Sequence, residues 1–125
     1  MGERENTQLV QQAYQHFKNG DIQSVFGLLS EDVEWTLFEI EGVPFSGTRR
    51  GPERVGEFFS EAFDTEEVLH FEPRELVAQG DKVVALGNYA WRVKSTGLEY
   101  ETDFVHVFTV RGGKVARYQE FMHAC

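Results

Sequence analysis

The sequence has one cysteine among its 125 residues, the terminal Cys125, so no disulfide framework can form within the chain. No CxxC pair or zinc-like His/Cys spacing occurs. The four histidines, His16, His70, His106 and His123, fall in separate segments without ligand spacing, and no metal is expected. Basic residues are scarce: 12 Lys and Arg stand against 21 Asp and Glu, for a formal charge of −9. Nucleic acid and anionic membranes both need a basic surface, so neither is expected as a partner. No apolar run approaches the ~20 residues of a membrane span. Residues 1–6 are polar and carry no leader pattern, which points to a cytoplasmic protein. GxSxG, phosphate-loop and dinucleotide fingerprints are missing as well, and no cofactor is expected.

What the chain does have is aromatic weight. Aromatics make up 14% of it and Phe alone accounts for 11 residues, an excess that suits a wide core or a lined cavity. The length suits one domain, residues 1–125, large enough to fold without staples. Leu9, Val10, Ala13, Tyr14 and Phe17 recur at helical spacing before the stop Asn19-Gly20. Asp21 caps a short second helix carrying Ile22, Val25, Phe26, Leu28 and Leu29, and Ser30-Glu31-Asp32 breaks it. Val33 to Leu37 alternates as a strand, and the turn-rich residues 42–47 read as a loop over an edge. Gly51-Pro52 starts a third helix with the stripe Val55, Phe58, Phe59, Ala62 and Phe63. Arg49 and Arg50 ahead of it could hold an anion, but an ordinary helix start is the better reading.

From about residue 66 onward the pattern is all strand. Leu69–Gln79, Lys82–Lys94, Leu98–Val110 and Lys114–His123 are divided by Gly80-Asp81, Ser95-Thr96-Gly97 and Gly112-Gly113. Strands of this length must twist and bend. The expected fold class is therefore α+β: a cone-shaped α+β barrel of the cystatin-like kind, three helices packed on a strongly curved, mostly antiparallel sheet.

Alternate strand residues share a face. Phe104, His106, Phe108 and Val110 form the aromatic-rich row and are assigned to the concave side. Placing Trp91 opposite Thr102 sets Tyr89 against Phe104 and Gly87 against His106, the glycine leaving space beside the imidazole. Arg92 then pairs with Glu101 or Asp103 on the outer face. A strict two-residue turn at Gly112-Gly113 pairs His106 with Gln119. One extra residue in a bulge pairs it with Glu120 and brings Tyr118 and Met122 to the same face. The bulged register is preferred. It gives a histidine and a carboxylate on one apolar wall, a plausible acid–base pair; a protonated imidazole would lower the carboxyl pKa that burial raises. Trp35 and Tyr14 are either core or pocket lining, and His123 at the strand end is expected to be exposed.

Several runs, Lys18 to Ile22, Leu28 to Trp35, Gly47 to Gly51, Val77 to Ala85 and Asp103 to Val110, resemble SnoaL-like proteins of the nuclear-transport-factor-2-like superfamily. The resemblance implies a conical α+β fold with a deep apolar pocket, commonly a homodimer packed through the outer sheet. In the polyketide cyclases a His and an Asp on the last two strands do acid–base work, and that motif falls on His106 and Glu120 here. The steroid isomerases' helix-one Tyr and first-strand Asp fall on Ala13 and Leu37, so that route to isomerisation is not expected. The resulting expectation is a cofactor-free acid–base enzyme on a small, apolar carbonyl compound. Glu120 and His106 are its catalytic candidates, and Trp35, Tyr14, Tyr89, Phe104, Phe108 and Met122 shape the cavity. The alternative is a non-catalytic ligand-binding or dimerisation module.

Overall fold

A computed structural model describes residues 2–37 and 47–122, with the side chain of Met122 excepted. Helix α1 (Glu3–Lys18) buries Leu9, Val10, Ala13 and Tyr14 on one stripe. The chain turns at Gly20, whose φ of 75° is the left-handed value that favours glycine. Helix α2 (Ile22–Phe26) follows, its first turn capped by Asp21, which accepts from the Ser24 backbone N–H at 3.2 Å. Strand β1 (Leu29–Leu37) already begins at Leu29, so Ser30-Glu31-Asp32 is irregular strand rather than a break between elements. Strand β2 (Gly47–Arg50) is a four-residue edge that the sequence did not announce. Helix α3 (Pro52–Thr65) starts at its proline and buries Val55, Phe58, Phe59 and Ala62. Strands β3 (Glu66–Gln79), β4 (Lys82–Val93), β5 (Glu99–Arg111) and β6 (Lys114–Met122) complete the chain.

The six strands form one sheet in the order β2-β1-β6-β5-β4-β3. It curls but does not close, so the expected barrel is an open sheet with β2 and β3 as edges. β1 runs parallel to β6 and every other neighbour pair is antiparallel. Side chains of α1 and α3 pack with the inward rows of β1, β4, β5 and β6 into one core. Among the described residues no helix is long and apolar enough to cross a membrane.

Two registers place the chemistry. In the last hairpin Thr109 pairs with Arg117 but Val110 pairs with Val115, so Ala116 is one extra residue in β6. The bulge sets His106 opposite Glu120 and Phe108 opposite Tyr118. Between β4 and β5 the expected register is two residues off. Trp91 lies opposite Tyr100, Tyr89 opposite Thr102, Gly87 opposite Phe104 and Ala85 opposite His106. The cause is the turn: the Val93 backbone N–H donates to Leu98 at 2.8 Å, closing a four-residue loop where a tighter one was expected. A slip of two keeps every side chain on its face, so the inward row survives. Gly87 therefore makes room for Phe104, not His106; a Cβ at 87 would collide with the Phe104 ring and the Glu72 carbonyl oxygen. Arg92 pairs with Glu67 at 2.6 Å and Glu99 at 3.8 Å, not with Glu101 or Asp103, for the same reason.

Candidate active site

The inward rows of the sheet and the stripes of α1 and α3 leave a cavity of about 100 Å³ between them. Tyr14 from α1, Trp35 and Leu37 from β1, Phe58 and Phe59 from α3, and Tyr89, His106, Phe108, Tyr118 and Glu120 from the sheet line it. A dry apolar cavity of about 150 Å³ holds one benzene ring, so this space is of single-ring size at most. Phe104, expected in the lining, packs behind it: 1% exposed, its ring lies on His106 with centroids 4.1 Å apart and on Phe71 at 5.3 Å. The missing side chain of Gly87 leaves the space that the end of the Phe104 ring occupies. Met122, as a side chain, together with His123, Cys125 and most of the 42–47 loop, lies outside the described residues.

Glu120 is the acid of the cavity floor. Its Oε2 accepts from the Tyr89 hydroxyl at 2.6 Å and its Oε1 from the Tyr118 hydroxyl at 2.7 Å. Burial pushes its carboxyl above the usual carboxylate range, against the pull of the two phenols. Both phenols are pushed up in turn, by burial first and then by the Glu120 charge, so they stay protonated and donate. A carboxylate has about four lone-pair sites, and two remain after the phenols are counted.

His106 lies opposite. Its Nδ1 is 2.7 Å from the Tyr14 hydroxyl, and its Nε2 is 3.6 Å from Glu120 Oε1 with no hydrogen-bond partner. Burial pulls its pKa down to about 3. The imidazole is therefore neutral, and the expectation that a protonated His106 lowers the Glu120 pKa is corrected: the two phenols do that. A neutral ring carries one N–H. While Glu120 is ionised, an Nε2 lone pair facing its oxygen would be repelled, which puts the proton on Nε2 and has Tyr14 donate to Nδ1. The floor thus offers an unpaired N–H beside a carboxylate held by two phenols. Trp35, stacked on Tyr118 at 3.9 Å, brings a second buried N–H without a partner.

Of the residues named from sequence, Tyr14, Trp35, Tyr89, Phe108, His106 and Glu120 meet in this cavity. Tyr118 was placed on the right face but given no role, and Glu66 and Tyr100, which also line the cavity, were missed. Tyr100 shares the parity of Phe104 and His106, which was the available signal. Glu66 gave none, because it lies where α3 passes directly into β3. Arg49 and Arg50 engage Glu61 at 2.9 Å and Glu34 at 3.0 Å. Among the described residues no group of three or more His, Cys, Asp or Glu is placed to hold a metal.

The SnoaL-like domain model matches residues 10–118. The chain belongs to the SnoaL-like family. A nuclear-transport-factor-2-like protein from Burkholderia xenovorans is similar to this SnoaL-like chain at 33% identity and TM-score 0.88, covering 98% of this chain and 92% of the other. TerC, co-crystallised with polyporic acid, is similar at 28% identity and TM-score 0.86, covering 95% and 92%. A provisional SnoaL-like polyketide cyclase from Mesorhizobium loti shares the fold at 18% identity and TM-score 0.76, covering 91% and 96%. No curated protein sequence matches the chain. The neighbours fit the same cone-like α+β architecture.

Proposed function

We propose that this SnoaL-like protein is a cofactor-free acid–base enzyme that moves a proton next to the carbonyl of a small apolar compound, as an isomerase or cyclase does. The observation that carries the reading is the unpaired His106 Nε2 at 3.6 Å from Glu120 Oε1 in an aromatic cavity. A carbonyl oxygen seated there takes the Nε2–H bond while a remaining lone pair of Glu120 removes the proton from the adjacent carbon. The neutral imidazole is already oriented by Tyr14, so the donor is in place as negative charge develops on the oxygen. TerC, co-crystallised with polyporic acid, supports the reading only in that a protein of this fold takes a small molecule.

The measurement is deuterium uptake at the methyl group of acetophenone in D2O, followed by NMR. Catalysed exchange well above the buffer rate is the expected result, and a rate equal to buffer sinks the acid–base reading. A binding module is the second reading, favoured by the phenol already seated on each Glu120 oxygen. It calls for an unmodified ligand retained in native mass spectrometry and no exchange.

A homodimer is part of the proposal. The outward row of β4, β5 and β6 carries half-buried Val84, Leu86, Val105 and Val107 and the exposed Phe121. Such a row suits a second copy of the sheet. Sedimentation should give a dimer, dissociated by Val107→Lys; a monomeric wild type would refute this part.

A further inference from the structure

At another part of the cavity wall stands a second buried acid that the acid–base reading does not use. Glu66 is 7% exposed and lines the cavity together with Tyr100 and Trp91. The Tyr100 hydroxyl donates to its Oε1 at 2.6 Å. Its other oxygen receives no hydrogen bond from the described residues, unlike Glu120, both of whose oxygens are held. The two acids belong to one electrostatic field, since the Glu120 charge acts on Tyr100 and the Glu66 charge on Tyr89. No Lys or Arg is among the described lining residues. The one ionisable base among the described lining residues, His106, is 3% exposed with an Nε2 that has no hydrogen-bond partner among them. Two acids, no cation and an open acceptor define what a ligand must bring.

We propose that Glu66 and Tyr100 form a second polar station that selects ligands carrying a hydrogen-bond donor, hydroxyl or ammonium, in addition to their carbonyl, and that the cavity rejects ligands bearing an acidic group. This rests on the acid–base reading for the placement of the carbonyl. The physical argument is short. A ligand carboxylate would enter a low-dielectric space already holding acidic groups, with no cation to meet it. A ligand O–H or N–H finds the free oxygen of Glu66, and an ammonium gains in addition from the aromatic lining.

The chain's two tryptophans, Trp35 and Trp91, both line the cavity, so quenching of intrinsic fluorescence reports occupancy directly. The probes are acetophenone and its 4-hydroxy, 4-aminomethyl and 4-carboxylate derivatives at pH 7.5. In the wild type the hydroxyl and aminomethyl probes should bind at least about tenfold more tightly than the carboxylate, a gap of about 1.4 kcal/mol or more. Glu66→Gln should weaken the aminomethyl probe about tenfold and bring the carboxylate to within about threefold of the hydroxyl probe. Tyr100→Phe frees the second Glu66 oxygen while keeping the charge, so it should tighten the aminomethyl probe and leave the carboxylate rejected. A carboxylate that binds the wild type as well as the hydroxyl probe overturns the proposal. So does a ranking unchanged by Glu66→Gln, an equal weakening of all four probes in both variants, or no quenching at millimolar concentration. Exchange and ranking are separate readouts. Lost exchange with the ranking intact refutes only the acid–base reading, and exchange with a flat ranking refutes only this one.

Discussion

Replacing Glu120 with Gln lowers ketone α-proton exchange by about 10²–10⁴-fold, the span that a positioned general base supplies, while the protein stays folded. The amide cannot take the proton, yet it keeps the shape of the side chain and one acceptor oxygen for the phenols of Tyr89 and Tyr118. The stability side has a definite sign. Burial raises the folded-state pKa of Glu120 above its unfolded value, so the folded state binds the proton more readily. Stability attached to this group is fully present at low pH and is lost as pH rises through the raised pKa. Above that pH the wild type carries a buried negative charge that Gln lacks, and the variant's melting temperature should equal or exceed that of the wild type. Activity and stability then move apart, as expected where a site is held at a cost to the fold. The pH–rate profile follows from the same groups. Exchange should rise once, through the raised Glu120 pKa, with no separate inflection from His106, because burial pulls the imidazole down to about 3. A loss of rate matched by a loss of fold, or a second inflection near 6.5, would defeat the assignment.

The second large effect is on stability. Phe104→Ala should cost about 3–5 kcal/mol in urea unfolding, the usual range for emptying a buried phenylalanine site. The ring is 1% exposed, stacks on both His106 and Phe71, and fills the space beside Gly87. Gly87→Ala should itself destabilise by about 1–3 kcal/mol, as overpacking does, because the added carbon meets the Phe104 ring and a backbone oxygen of β3. The two substitutions share one volume and should not add. With the ring gone, two of the three nearest obstacles to the methyl group are removed and the Glu72 carbonyl remains, so Gly87→Ala in the Phe104→Ala background should cost clearly less. Strict additivity would mean that the glycine is required for β3 alone.

The elements whose residues alternate cleanly were legible before any coordinates. The row Phe104, His106, Phe108 and Val110 needed only parity, and the helical stripes of α1 and α3 needed only periodicity. The β4–β5 register was not legible. Lys94 to Gly97 holds one glycine with positive φ, and either a tight or a four-residue loop accommodates it. Parity could not reveal the slip, because a shift of two returns each residue to its own face; only the neighbours of Gly87 and Arg92 changed. β2 was hidden by its length, four residues being too few for a period. The roles of Tyr89 and Tyr118 as donors to Glu120 depend on hydroxyl positions in space, which no spacing along the chain encodes. Glu66 was obscured because it ends a helix and begins a strand in the same step.

Ala116 gives the site a kind of reading frame. With that one extra residue, β6 turns Tyr118 and Glu120 inward and leaves Arg117, Gln119 and Phe121 outward. Were Ala116 paired in regular register instead of bulged, the two sets would trade places, and an amide and a guanidinium would face the cavity where a phenol and a carboxylate now stand. The chemistry of the floor thus depends on where the strand leaves a residue unpaired as well as on which residues it carries.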